Sequence, residues 1–239
     1  MEILYEDNHL IAVNKRVSDI VQADKTGDLP LSERVKAYIK KKYNKPGEVF
    51  LGVPHRVDRP ASGVVLFART GKALERLGKM FQARDNEITK IYWAVVANLP
   101  EEDEATLVHY LSRDEAKNRS HAYTRPRAGA KEAILDYKLL NRGQRYYLLE
   151  VKLHTGRHHQ IRCQLAKIGC PIKGDLKYGF PRSNEGGGIH LHARQLSFIH
   201  PIKQEPLAIA APPPLDDVLW DYFYKNLAPD KRDRTGLTP

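Results

Sequence analysis

No stretch of this sequence approaches the roughly 18–20 consecutive apolar residues that a helical bilayer span requires. The opening MEILYEDNHL also lacks the basic-then-apolar order of a signal peptide. Cysteine is scarce. Cys163 and Cys170 are the only 2, which excludes a secreted disulfide framework and leaves too few thiols for a Cys-rich zinc site; both read as packing residues. There is no His-Glu-x-x-His, no Cys-x-x-Cys and no carboxylate cluster, so the 10 histidines assemble no recognisable metal motif. Gly186-Gly187-Gly188 lacks the Gly-Lys-Ser/Thr ending of a phosphate-binding loop, which argues against nucleotide hydrolysis. Acidic charge is in deficit too: 29 Asp plus Glu stand against 39 Lys plus Arg, a formal net charge of +10.

What is present is a chain of 239 residues, 41% of them hydrophobic, enough for a packed core and too much for a disordered chain. At roughly 150 residues per domain, this length fits one large domain or two small ones. The expected protein is soluble, cytoplasmic and basic. Its charge points to a polyanion, because each Lys or Arg placed on a phosphate releases counterions.

Ile3-Leu4-Tyr5 and Leu10 to Val13 read as two strands around an Asp7-Asn8 turn. Leu31, Val35, Tyr38 and Ile39 share one helical face, with Lys40 to Lys42 in the last turn, where cations suit the helix dipole. Pro54 and Pro60 bracket His55-Arg56-Val57-Asp58-Arg59 and keep it out of regular structure. A buried strand, Val64 to Ala68, follows, then a helix capped by Thr70 with Leu74, Leu77 and Phe81 on its buried face. Ile91 to Ala97 reads as a core strand. Between Ser112 and Lys131 the apolar pattern lapses while cations accumulate, which fits a phosphate-contacting loop or a solvated excursion. Ala133 to Leu140 and Tyr146 to Leu153 form a hairpin, and His154-Thr155-Gly156 introduces a helix through Ala166. Ile189 to Leu196 alternates as a strand. Strands outnumber helices, so the expected fold is α+β, a mainly antiparallel mixed sheet flanked by helices, in one continuous domain over 1–225. Residues 226–239 are expected to form a flexible C-terminal tail.

Asp58 is the residue best placed for chemistry. It lies between Arg56 and Arg59, and nearby cations favour its ionised form and push its pKa down. Such an aspartate is a poor general base but an available nucleophile or charge stabiliser; the same spacing also fits an Arg-Asp pair that only pins a loop. In Thr155-Gly156-Arg157-His158-His159-Gln160-Ile161-Arg162, a helical reading places His158 and Arg162 on one face, with guanidinium groups free to meet a buried carboxylate. The histidines around these motifs, His190 and His192 among them, read as loop-pinning or phosphate-contacting groups.

Together these motifs resemble the RluA-type RNA pseudouridine synthases. His55-Arg56-Val57-Asp58-Arg59-Pro60-Ala61-Ser62-Gly63 is similar to the family's catalytic stretch His-Arg-Leu-Asp-Arg-x-Thr-Ser-Gly, Lys90-Ile91-Tyr92 to its Lys-x-Tyr strand, and 155–162 to Thr-Gly-Arg-Thr-His-Gln-Ile-Arg. Gly174-Asp175, Tyr178-Gly179, Leu191-His192-Ala193, Leu196 and His200-Pro201 follow in the family's order, and Leu4 to Asn8 with Val13-Asn14-Lys15 match at the start. The resemblance implies a pseudouridine synthase-like catalytic domain with a central cleft. It also implies isomerisation of specific uridines in ribosomal (23S-type large-subunit) or transfer RNA. Asp58 would be the nucleophile, attacking the ribose anomeric carbon or the uracil ring. Arg162 would pair with it, Tyr92 would stack on the base, and Arg56 would fill the space a flipped base leaves. Arg59, Arg157, Ile161 and Leu196 would complete the substrate-binding set. No metal or organic cofactor is implied, since the reaction has no net redox change or group transfer, and the expected state is a monomer.

The sequence departs from the pattern at Ala61 and His158, both threonine in the family motif, and Val57 stands for leucine. The chain is expected to start at the catalytic domain, without the small leading RNA-binding domain of many members, so that substrate grip falls to this domain. Two other readings compete: a catalytically silent RNA-binding or RNA-folding scaffold, and a metal-dependent hydrolase built on the histidines.

Overall fold

In the computed structural model, residues 1–24, 26–83 and 87–232 are described. The strands are β1 (Glu2–Glu6), β2 (Leu10–Lys15), β3 (Ser62–Ala68), β4 (Ile88–Val96), β5 (Glu104–Asp114), β6 (Arg119–Tyr123), β7 (Lys131–Arg142), β8 (Tyr147–Leu153), β9 (Leu191–Ile199) and β10 (Pro206–Ala210). The helices are α1 (Leu31–Lys42), α2 (Gly71–Gln82), α3 (Gln160–Lys167), α4 (Val218–Lys225) and α5 (Pro229–Arg232). The strands form one sheet in the order β1-β2-β3-β9-β4-β8-β7-β5-β6, with β10 also paired to β9. Every pairing is antiparallel among the described strands except that of β3 with β9. This is the expected α+β architecture.

Strand side chains alternate between the two faces of the sheet, and the core divides accordingly. Ile11, Val13, Val65 and Phe67 face one layer with Val35 and Ile39 of α1 and Leu165 of α3. Leu10, Ala12, Val64 and Leu66 face the other, against Ala73 and Leu77 of α2. The local signals behave as their chemistry requires. Asp7 Oδ1 accepts from the N–H groups of His9 and Leu10, both at 2.8 Å, closing the first turn. Thr70 caps α2 by accepting from the Ala73 N–H.

Three features differ from the sequence reading. The 112–131 stretch is mostly ordered ribbon: Arg113 faces Ser120 and Asp114 faces Arg119 across the β5–β6 hairpin. The apolar pattern lapses there because β6 is an edge strand that packs one face on α3 through Ser120 and Ala122 and leaves Arg119 and His121 exposed. The helix expected from residue 154 starts at Gln160, since His159 sits in the left-handed region at φ 53° and the Gln160 side chain turns back to Thr155 Oγ1 and the Arg157 N–H. Arg157 and His158 therefore precede the helix. At the far end, Leu227 is buried with Trp93, Trp220 and Phe223, and α5 follows; the remainder of the expected tail, 233–239, lies outside the described residues.

The β3–β9 seam positions the site. The two strands are parallel over only Ser62–Gly63 and His192–Ala193, and farther along β9 takes β10 as its partner instead. Gly63, at φ 114°, is required there, because a Cβ would run into the Ala193 backbone. The Asp58 loop enters β3 at this point.

Candidate active site

Asp58 is held by a guanidinium from a distant part of the chain. Arg162 of α3 donates from Nη1 to Asp58 Oδ2 at 3.2 Å. The same arginine forms a two-pronged pair with Asp175, Nε to Oδ2 at 2.7 Å and Nη2 to Oδ1 at 2.8 Å. Burial works against the Arg162 charge, and the Asp175 bonds and charge more than offset it, with Asp58 adding to them. The Asp175 side chain is 1% exposed and that of Asp58 32%. No hydrogen bond reaches Asp58 Oδ1 among the described residues.

The neighbouring arginines in the sequence play other parts. Arg59 pairs with Asp28 at 2.6 Å, and Arg56 is exposed. The backbone of the loop is fixed from below by Lys15, a wholly buried residue whose Nζ donates to the carbonyls of Arg16, Arg59 and Ala61 at 3.1, 3.1 and 2.6 Å. Burial lowers its pKa to about 8 despite the charges of Asp19 and Asp58.

His159 Nε2 lies 3.7 Å from Asp58 Oδ2. Burial first, and the Arg162 cation second, push its pKa down to about 2, so the ring is neutral and the contact is not an ion pair. Its Nδ1 is 3.0 Å from the Tyr178 hydroxyl, which accepts from the Ser120 N–H at 2.8 Å. The Tyr178 hydroxyl hydrogen is then free to go to Nδ1, leaving the imidazole hydrogen on Nε2, facing Asp58. The Tyr178 ring also carries the Arg162 guanidinium at 5.1 Å.

Tyr92 enters from β4 at an irregular point. Ile91 pairs with Gln195 and Tyr92 with Ala193, so Arg194 of β9 is skipped. Such a bulge re-aims nearby side chains. Burial, then the Asp58 charge, raises the phenol pKa. His55, in the catalytic-like motif, is an architectural group: its Nε2 accepts from the Leu66 N–H at 2.9 Å and its ring stacks on Phe81. Arg157 is exposed, with Nε on the Glu132 carbonyl. Ile161 is buried in the first core cluster, while Leu196 packs in the second, among Leu10, Val64 and Leu77. The structure thus gathers Asp58 and Arg162 with Asp175, His159 and Tyr178, and leaves Leu196 in a separate cluster. No group of three or more His, Cys, Asp or Glu residues is arranged to hold a metal ion among the described residues.

The model of the RNA pseudouridylate synthase family matches residues 9–167. The chain belongs to this family. As a pseudouridylate synthase relative, it is 30% identical to tRNA pseudouridine synthase C of Pectobacterium carotovorum, over 96% of this chain and 64% of that one. It is 31% identical to ribosomal large subunit pseudouridine synthase D of Xanthomonas campestris, over 90% of this chain and 67% of that one. The chain therefore spans about two thirds of the length of these relatives. In fold it is similar to human RNA pseudouridylate synthase domain containing 4, with a TM-score of 0.76 over 93% of this chain and 92% of that one, at 23% identity. Asp175, His159, Tyr178 and Lys15 are the residues packed around Asp58, its loop and Arg162 that spacing alone misses. Asp175 is 13 residues from Arg162, and only the ordered match of Gly174-Asp175 and Tyr178-Gly179 to the family pattern marks them.

Proposed function

We propose that this protein isomerises uridine to pseudouridine in ribosomal or transfer RNA, acting as a cytoplasmic monomer with Asp58 as nucleophile. The observation that carries this reading is the Asp58 carboxylate itself. One of its oxygens is held by an arginine that is anchored by a second, buried acid, and the other takes no hydrogen bond among the described residues.

Atom balance sets what the site must do. The bond from ribose C1′ to uracil N1 breaks, the base turns, and a bond from C1′ to uracil C5 forms; C5 gives up its hydrogen as a proton and N1 gains one. Asp58 adds to the substrate and is released again, so the carboxylate is regenerated. Arg162 orients it and tempers its charge. Tyr92, whose phenol stays neutral because burial disfavours the phenolate, offers a flat apolar face for a base taken out of its stack. Extrusion costs a few kcal/mol and favours uridines in loops over those in duplex. Arg56, exposed and two residues from Asp58, fills the gap the base leaves, and Arg59 and Arg157 meet the backbone. No metal or organic cofactor enters this scheme.

Release of tritium from RNA labelled at uracil C5 measures the reaction directly. Ribosomal and transfer RNA from cells lacking the gene, with chelator present, should release tritium with the native protein and none with Asp58→Ala. No release from either RNA, or equal release by the variant, overturns the proposal.

A further inference from the structure

His158, the departure from the family's threonine, sits between the β5–β6 ribbon and the Asp58 site. Its ring lies on that of His159, centroids 3.7 Å apart. Three contacts join it to the ribbon. Its Nε2 is 3.1 Å from Asn118 Oδ1, its Nδ1 is 2.9 Å from Ser120 Oγ, and its carbonyl accepts from the same Ser120 hydroxyl at 2.7 Å. Hydrogen counting separates the two charge states. A neutral imidazole has one N–H. If Nε2 uses it on the Asn118 oxygen, Nδ1 needs the Ser120 hydrogen that the His158 carbonyl also claims, and one contact goes unmade. An imidazolium donates from both nitrogens, the Ser120 hydroxyl donates to the carbonyl, and all three contacts are made together. With the Asn118 amide oxygen toward Nε2 the ribbon presents acceptors arranged for a cation, whereas the neutral ring makes all three contacts only with its hydrogen on Nδ1 and the amide turned over.

The charges around the ring oppose that cation in the free protein. Burial disfavours it first, followed by Arg113 of β5; Arg162 and Lys177 oppose it as well, and only Asp58 favours it, so the pKa is lowered. Lys177 donates to the Asn118 carbonyl at 2.9 Å, beside the amide that holds His158. Both Arg113 and Lys177 are exposed, and neither is paired with a carboxylate among the described residues. An anion seated on them would cancel the repulsion that keeps His158 neutral.

We propose that Arg113, Lys177 and the 115–118 turn form a subsite for an RNA phosphate, and that His158 takes up a proton when the phosphate binds. The proposal rests on RNA as the partner, but not on Asp58 chemistry. Bound phosphate occupies the two exposed cations, His158 becomes an imidazolium held by Asn118 and Ser120, and the added bonds lock the ribbon against His159. RNA affinity should consequently rise as pH falls through the neutral range, a dependence that threonine at this position cannot provide.

The test uses the full chain and bulk transfer RNA already modified to completion by the enzyme, so that no turnover accompanies binding. Calorimetry in buffers of different ionisation enthalpy should record uptake of about half a proton near pH 6.5, with affinity about fivefold tighter at pH 6 than at pH 7.5. His158→Thr should abolish the uptake and flatten the pH dependence. Arg113→Gln combined with Lys177→Gln should also abolish it. No uptake by the native protein, or undiminished uptake in either variant, overturns the proposal. Should a variant fail to fold, histidine ring NMR of the native protein decides: one ring must titrate at higher pH when RNA is present, and unchanged titration of every ring overturns the idea. Tritium release is measured separately. Proton-linked binding without release would sustain this subsite while defeating the synthase reading.

Discussion

Two regions meet at Asp58, and they are built on opposite principles. On the inner side, Asp175 and Arg162 are almost fully removed from solvent and make two short parallel bonds. On the outer side, the β5–β6 ribbon carries Arg113, Lys117 and Arg119 on exposed positions of an edge hairpin. The inner region spends its interactions on fixing one guanidinium, because a buried arginine without a carboxylate is costly. The outer region leaves its cations open to a polyanion. Asp58, a third exposed, takes its single arginine bond from the first and looks onto the second. A carboxylate can thus be held in place without being locked away.

The largest effect should come from cutting the inner pair. Asp175→Asn leaves the buried Arg162 without its charged partner, and breaking such a pair typically costs about 3–5 kcal/mol. Asp58→Asn, at a third-exposed position where an amide oxygen still accepts from Arg162, should barely move the urea midpoint while abolishing tritium release. If both variants unfold at the same denaturant concentration, the division between anchoring acid and reacting acid is wrong.

The buried framework on either side of the Asp58 loop should also be acid-sensitive. His192 is wholly buried, accepting at Nδ1 from the Ser62 hydroxyl and donating from Nε2 to the Ala211 carbonyl. Burial lowers its pKa to about 3, and that of His55 likewise to about 3. Between the unfolded value near 6.5 and pH 3 the unfolded chain binds these protons and the folded one does not. Stability is therefore full above pH 6.5 and lost as pH falls, at about 1.4 kcal/mol per pH unit for each ring, or about 2.7 for the two. Urea unfolding at pH 7.5, 5.5 and 4.5 checks this; a stability that stays level down to pH 4.5 would show that neither ring is held neutral.

How much of this could be read in the sequence depends on how local the cause is. The first turn, α1, the Thr70 cap and the β7–β8 hairpin follow from residues within a few positions of one another. The start of α3 does not, because a left-handed His159 and the back-turned Gln160 side chain interrupt an otherwise helical pattern. Asp58 is conspicuous between two arginines, yet its partner is Arg162, 104 residues away. Sequence proximity suggested the wrong arginines because charge pairing is decided by the fold. The element α4, by contrast, carries a local signal: Asp217 caps it by accepting from the Leu219 and Trp220 N–H groups, and Trp220, Phe223, Tyr224 and Leu227 recur at helical spacing around Trp93. Asp175 and Tyr178 became visible only as members of an ordered motif set, not from any pattern of their own.

The smallest effect on the fold should come from the outer region, and there the comparison is sharpest. Arg125 and Arg127 lie on the connection from β6 to β7, both exposed, with the Arg127 guanidinium over the Tyr123 ring at 4.7 Å. Reversing both to glutamate removes two cations available to phosphate and adds repulsion. RNA affinity should fall about tenfold or more at moderate salt, and the slope of log affinity against log salt should flatten by roughly 1.5–2. The urea midpoint should not move, since exposed substitutions away from the core rarely alter stability. Unchanged affinity and slope would remove this connection from the RNA interface and leave Arg113 and Lys177 to supply the grip. A shifted midpoint would mean that the ribbon is part of the scaffold, and that the contrast between a fixed inner region and an open outer one has been drawn in the wrong place.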